Sequence, residues 1–586
     1  MTSHRSNQPQ QGINVNKRLT TDSIALGILL APALAFGQAT PDAGRILEST
    51  RPPALIAPPA TGPRVLPDAA PLPAAAQAGE QRVQVNGFTF AGVSAFPEAA
   101  LRALLAPYAG RALNFAELNQ AAASVTAYYR ARGYFLASAY LPAQDLAQGQ
   151  VRLQVLEGRV SGVAIVPDAS VRLAPALARR YVDALVKPGM PVDEAALERA
   201  LLLTQDLPGI GARAELGPGA ALGESAIDIA LSEGPLLNGN VGLDNSSNRY
   251  TGRMRATGGV NLNDLAGSGS QLSLQLASTG SDFNYARLGA VLPVGAAGTR
   301  VGLAYSGLRY RLGADFASLQ ARGTANVAQL LVMHPLLRSR YTSVQLRGGF
   351  EDKRFVNRAN GVQTSDKQVR VLPLALSMTR QDQLYGGGVS SATLEVTPGR
   401  VDLSANAASQ AADAAGPRSE GSFTRANYAL GRVQRIAGAA TLMASVSGQL
   451  ASKNLEAGEK MSLGGPDRVR AYPAGEASGD EGHVLALEAR YELAAWKADV
   501  GAFFDYGRIR LNRELYPNAL AAGGPGNSYD LKGVGVGIHW RAAGNASVRL
   551  QVASKIGSNP ARNASGKDAD GSGSRTRAWL QVAAYF

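Results

Sequence analysis

Two short segments carry the residues whose types and spacing could do chemistry. One is Gly464–Pro473 (GGPDRVRAYP), with Val469, Arg470, Ala471 and Tyr472 at its centre; the other is Phe503–Gly507 (FFDYG), with Phe503, Asp505 and Gly507 in the pattern F-x-D-x-G. Side chains alternate along a strand, so Val500, Ala502, Phe504 and Tyr506 share one face and Phe503, Asp505 and Gly507 the other. If that second face lines a partly dehydrated lumen, a lone carboxylate there is costly, and a guanidinium can offset this through paired, charge-assisted hydrogen bonds. The residues alone do not say which guanidinium would do so. Two plainer readings stand beside this one: Asp505 as a hydrated lumen charge and Arg470 as a solvated loop charge. Bond-making chemistry has no comparable signal. The chain has four His, among them His334, His483 and His539, and no G-x-S-x-G or H-E-x-x-H pattern. His483 and Asp480 are close in sequence, as loop residues often are. Cys is absent, which excludes disulfides and thiolate metal sites. We expect no enzyme activity, no cofactor and no metal.

The elements that must position these residues are strands. From about residue 238 to 586, segments of alternating residues follow one another, broken by Gly, Asn, Asp and Ser. Leu272, Leu274 and Leu276 alternate with Ser273, Gln275 and Ala277; Leu485, Leu487, Ala489, Tyr491 and Leu493 alternate with Ala486, Glu488, Arg490 and Glu492. The count is about sixteen, an even number as expected of a bacterial single-chain membrane barrel. The last segment, Ala578–Phe586, puts Ala578, Leu580, Val582, Ala584 and Phe586 on one face and Trp579, Gln581, Ala583 and Tyr585 on the other, and Phe586 is a terminal aromatic. Residues 403–420 and 557–574 read as polar surface loops. Arg347, Arg490 and Arg549 fall on inward faces and would give the lumen a basic field.

Composition agrees with this architecture. Ser23–Phe36 (SIALGILLAPALAF) is too short to span comfortably, follows Lys17 and Arg18, and leads into Gly37-Gln38-Ala39, so residues 1–38 read as a secretory signal peptide. A membrane protein with no other apolar helix must close a β-barrel, because lipid cannot satisfy open backbone groups. Net charge is +13, but the basic residues are spread along the chain, which argues against nucleic acid as a partner. Residues 39–80 combine a short helix within Pro41–Thr50 (PDAGRILEST) with a Pro-rich linker. Residues 83–157 read as β-α-α-β-β, with strands at Val83–Phe90, Leu136–Leu141 and Val151–Leu156 and helices at Pro97–Leu105 and Glu117–Arg132. The same order recurs over 159–232.

Three segments, Leu141–Arg159 (LPAQDLAQGQVRLQVLEGR), Gly464–Pro473 and Phe503–Gly507, occur in the order and spacing of a known family. The chain resembles the outer-membrane transporters of two-partner secretion, the TpsB family of haemolysin and adhesin exporters within the Omp85 superfamily. The resemblance covers residues from the helix near Asp42 to Phe586. It implies two periplasmic POTRA domains, 83–157 and 159–232, and a sixteen-stranded outer-membrane barrel over 238–586. It also implies that the loop around Val469–Tyr472 folds into the lumen, where Arg470 meets Asp505, and that a helix near 42–49 plugs the barrel at rest. The expected partner is a secreted exoprotein whose N-terminal secretion domain the POTRA domains capture by strand addition. Other expected partners are outer-membrane lipids and, during biogenesis, the barrel assembly machinery, which would read Phe586. An Omp85-type insertase that assembles other barrels is the alternative, though such proteins carry more POTRA domains. One departure stands out: the family's loop motif is usually V-R-G-Y, and position 471 here is Ala, which resists backbone angles that Gly permits.

Overall fold

The computed structural model describes residues 40–48, 50 and 82–586, apart from positions 147, 222, 521–523, 543–544 and 564. The expected signal peptide and the Pro-rich stretch 51–80 lie outside the described residues.

From Leu237 to Tyr585 the strands, apart from the short pair Met461–Ser462 and Ser478–Gly479, form one closed antiparallel barrel. Val362–Val371 and Leu374–Asp382 both lie between Thr342–Ala359 and Gly388–Asp402, so they are two halves of one stave. The break falls at Leu372 and Pro373, where proline has no N–H to give to the ladder. Counted in this way the barrel has 16 staves. An even number of antiparallel staves brings the last alongside the first at the end where the barrel began. That seam is made by Gln581–Tyr585 against Asp244–Asn240. The alternating leucines face outward: Leu274, Leu288, Leu303 and Leu580 are exposed on the outer wall. Among the described residues no helix is long and apolar enough to cross a membrane.

Two α/β modules precede the barrel. In the first, the sequence suggests a single opening strand, but the chain breaks at Asn86. Arg82–Val85 pairs with Arg111–Asn114, while Gly87–Ala91 runs parallel to Gln150–Leu156, which also pairs with Ser138–Tyr140. Its long helix, Phe115–Arg130, begins with a reciprocal cap in which Asn114 accepts from the Glu117 amide and Glu117 accepts from the Asn114 amide. At the end of the module Glu157 is buried and accepts from Ser94 N and Ala95 N at 2.6 and 2.8 Å and from the Tyr129 hydroxyl at 2.9 Å. Burial alone would raise its pKa; those hydrogen bonds outweigh burial and hold it below the usual carboxylate range.

The second module places Arg159–Pro167 and Ile210–Pro218 on either side of Glu224–Glu233, with helices Pro175–Leu185 and Glu194–Gln205 packed on the sheet. It is seated on the barrel. Arg338 forms a two-pronged pair with Asp206 at 3.0 and 2.9 Å, and Arg199 donates to the Pro335 and Leu336 carbonyls.

The lumen is not empty. The helix Ala43–Glu48 lies inside against Tyr310, Phe355 and their neighbours, and the long connection 452–480 turns inward on the other side.

Candidate functional site

Connection 452–480 carries both ends of its own support. A short bridge between Gly464 and Val469, with Val469 N donating to Leu463 O at 2.9 Å, turns the tip back on itself. Val469, Ala471 and Tyr472 are fully buried. Ala471 is not among the residues with positive φ, so the tip needs no glycine there; the departure from V-R-G-Y is accommodated by an ordinary backbone. Room for the tip comes from the wall. A Cβ at Gly507 would stand 2.9 Å from Val469 Cγ2, and one at Gly533 2.7 Å from Ala471 Cβ.

Arg470 leaves this tip and meets Asp505 on the stave Ala498–Arg510. Nε donates to Oδ2 at 2.9 Å and Nη2 to Oδ1 at 2.8 Å, and the Arg470 backbone N–H also donates to Oδ2 at 3.0 Å. Asp505 is wholly buried and Arg470 is 4% exposed, so both plainer readings of these charges are set aside. The guanidinium carbon lies 3.4 Å from the centroid of the Phe503 ring, a cation–π contact on a desolvated face. Phe503, Asp505 and Gly507 thus share one inward face and each touches the loop.

Three further wall residues complete the seat, none of them assigned a role from sequence. Glu488 accepts from Arg470 Nη1 at 2.6 Å. Trp579, on the last stave, donates its indole N–H to the Arg470 carbonyl at 2.7 Å. Gln551, with its amide oxygen turned toward the guanidinium, accepts from Nη1 at 3.1 Å. Their inward orientation follows from alternation; that they converge on one side chain does not. The tip is therefore held by staves on both sides of Asp505 and out to the seam. The arrangement is a lock between a loop and a wall.

Other expectations change in detail. Residues 403–420 contain a helix, Ala407–Ala415, whose Asp413 accepts from Ser419 N and Oγ. Residues 557–574 are not simply a surface loop. Asn559 and Asp568 are buried, Asp568 pairs with Lys555, and Glu476 of the long loop accepts from Asn559 and from the Ala569 amide at 3.0 and 2.8 Å. The basic lumen field is locally neutralised, because Arg347, Arg490 and Arg549 face Glu395, Glu488 and Asp467. Phe586 exchanges backbone hydrogen bonds with Gly239 at 3.1 and 3.0 Å, making it the last rung of the seam.

The family model "Haemolysin secretion/activation protein ShlB/FhaC/HecB" matches residues 223–538, and a ShlB-type POTRA model matches residues 83–158. The chain is 28% identical over 466 residues to the heme/hemopexin transporter protein HuxB of Haemophilus influenzae, covering 78% of this chain and 80% of that one. It is 25% identical over 413 residues to the outer membrane transporter CdiB of Dickeya dadantii, covering 68% and 70%. The solved structure of CdiB from Escherichia coli superposes with a TM-score of 0.68 at 21% identity over 89% of this chain and 94% of that one, a likeness of fold. The inserted loop, the closed barrel and the leading POTRA module meet in one conclusion: this chain belongs to the ShlB/FhaC/HecB haemolysin secretion/activation family, outer-membrane β-barrel transporters with periplasmic POTRA domains that export a partner protein by two-partner secretion.

Proposed function

We propose that the lock between Arg470 and Asp505 sets the transport-competent position of the inserted loop, and that the helix Ala43–Glu48 plugs the resting lumen. The observation that carries this is the buried, two-pronged ion pair joining the loop tip to the barrel wall. A partner exoprotein arrives unfolded in the periplasm, and its N-terminal secretion domain is captured by the module 83–157 and by the module 159–232 acting as a second POTRA domain. Both sheets offer open edges for strand addition, such as Ile210–Pro218 in the second. The helix then leaves, the loop tip stays on its wall, and the extended chain crosses while folding outside biases it outward. Lipid covers the outer wall, residues 1–38 are removed on export, and the assembly machinery reads the last stave through Phe586. No catalytic step enters this reading.

The test is removal of the transporter from its host. The expected result is loss of one surface or secreted exoprotein, encoded nearby with an N-terminal secretion domain, while other barrels keep normal levels. A general loss of outer-membrane barrels would instead assign the chain to barrel assembly.

A further inference from the structure

Arg470 fixes one end of the inserted loop, and the opposite wall holds a second buried ionic group on the same loop. Glu459 has a fully buried side chain. Its Oε1 accepts from Lys353 Nζ at 2.7 Å and its Oε2 from Arg425 Nε at 2.9 Å. Lys353 comes from the stave Thr342–Ala359 and Arg425 from Gly421–Ala437, with two staves between them, so Glu459 ties distant parts of the wall together. Lys353 also meets Glu351 at 3.1 Å, and Gln449 Nε2 donates to the Glu459 carbonyl at 2.9 Å. Burying a carboxylate with two cations is expensive unless all of them are held in place.

What the held segment touches is the helix. A Cβ at Gly44 would lie 2.7 Å from Gly458 N and 2.8 Å from Gly458 Cα, so helix and loop meet backbone to backbone. Beside that contact Lys367 bridges Glu456 at 2.9 Å and Asp42 at 3.2 Å. The Phe355 ring closes in on Gly458 as well: a Cβ at Gly458 would lie 3.3 Å from Phe355 Cζ. Residues 456–459 are thus layered between wall and helix.

We propose that Glu459 is a positioning residue: through Lys353 and Arg425 it holds residues 456–459 as the seat of the helix Ala43–Glu48, a task separate from that of Arg470. This rests on the reading of that helix as a lumen plug. The two anchors divide the loop's work. Glu459 governs whether the helix stays in, and Arg470 governs where the tip sits when it leaves.

The sequence has no Cys, so one introduced thiol reports cleanly. Ala43→Cys places it at a fully buried position of the helix, and Tyr385→Cys, at a position 89% exposed on a turn, is the open reference. The rate of modification by a polar maleimide is measured in detergent micelles, on protein whose heat-modifiable gel shift confirms an assembled barrel. Ala43→Cys alone should react far more slowly than Tyr385→Cys. Adding Glu459→Gln, or Arg425→Gln if the first does not assemble, should accelerate modification at position 43 at least about tenfold by shifting the population toward the released helix. Adding Asp505→Ala instead should leave the rate within about twofold. Unchanged protection in Glu459→Gln or Arg425→Gln would overturn the proposal, as would equal acceleration by Asp505→Ala. If Ala43→Cys alone reacts as fast as the open reference, it is the plug reading that fails.

Discussion

The two sides of the lumen are filled by different means. On one side Ala43, Ile46 and Leu47 of a short helix join Tyr310, Phe355 and Val369 in an apolar cluster; on the other, Leu463, Val469, Ala471 and Tyr472 of the inserted loop join Phe503, Ile509 and Leu531. The apolar content is similar, and the charges at the edge are not. The helix is tied at its ends by Asp42 to Lys367 and by Glu48 to Arg468, pairs with partly exposed members. The loop tip is tied by a pair that is almost wholly buried. Solvent-exposed pairs contribute about 0–1 kcal/mol, and removing one partner of a buried pair costs about 3–5 kcal/mol; the helix ties, intermediate in exposure, lie between these limits. A helix of six residues also has little stability of its own and depends on this docking. If the helix is the plug proposed above, its weaker ties suit release, and the buried pair suits a tip that stays.

The largest effect that would test this contrast is at the buried pair. Arg470→Ala and Asp505→Ala should each lower secreted partner at least about tenfold relative to transporter abundance, because each strands a buried charge; the double variant should be no worse than either. Strictly additive defects would mean that the two residues act separately. Next comes Gly44→Leu, which forces a side chain into the Gly458 backbone. Such overpacking costs about 1–3 kcal/mol and should drive the helix out, raising single-channel conductance in planar bilayers. Unaltered conductance would deny the helix its place as the occluding element.

Smaller effects sharpen the comparison. Trp579→Phe keeps an aromatic ring at the seam but removes part of the indole and the N–H donated to the Arg470 carbonyl, a hydrogen-bond loss of about 0.5–1.5 kcal/mol that should reduce secretion only a few-fold. A defect as deep as that of Asp505→Ala would move the centre of the lock to the seam. Smallest is Arg468→Ala, which removes the partly exposed partner of Glu48 and should cost about 0.2–1 kcal/mol. Secretion within about fivefold of the parent, the factor to which 1 kcal/mol corresponds, is expected; a larger defect would erase the distinction between the two sides.

Much of the architecture is legible without coordinates. Period-two alternation marks staves and their inward faces, and the helix expected at Glu117–Arg132 is present as Phe115–Arg130. Other features are hidden for identifiable reasons. The first strand of the first module breaks at Asn86 because its two halves pair with different partners. The stave interrupted at Pro373 continues only because both neighbouring staves span the gap. The loop at 557–574 looks polar and solvated, yet Asn559 and Asp568 are buried because Glu476 and Lys555 meet them there.

The sequence by itself determined that Asp505 faces inward and that Arg470 sits in a loop long enough to reach it, since both follow from local alternation and spacing. Only the tertiary structure decided that Trp579, 109 residues away, holds the Arg470 carbonyl, and that Glu459 is clasped by Lys353 and Arg425 beneath the helix. The physical reason is closure: a strand's faces are set by its own backbone, but which side chains meet across a lumen depends on how all the staves together close the barrel.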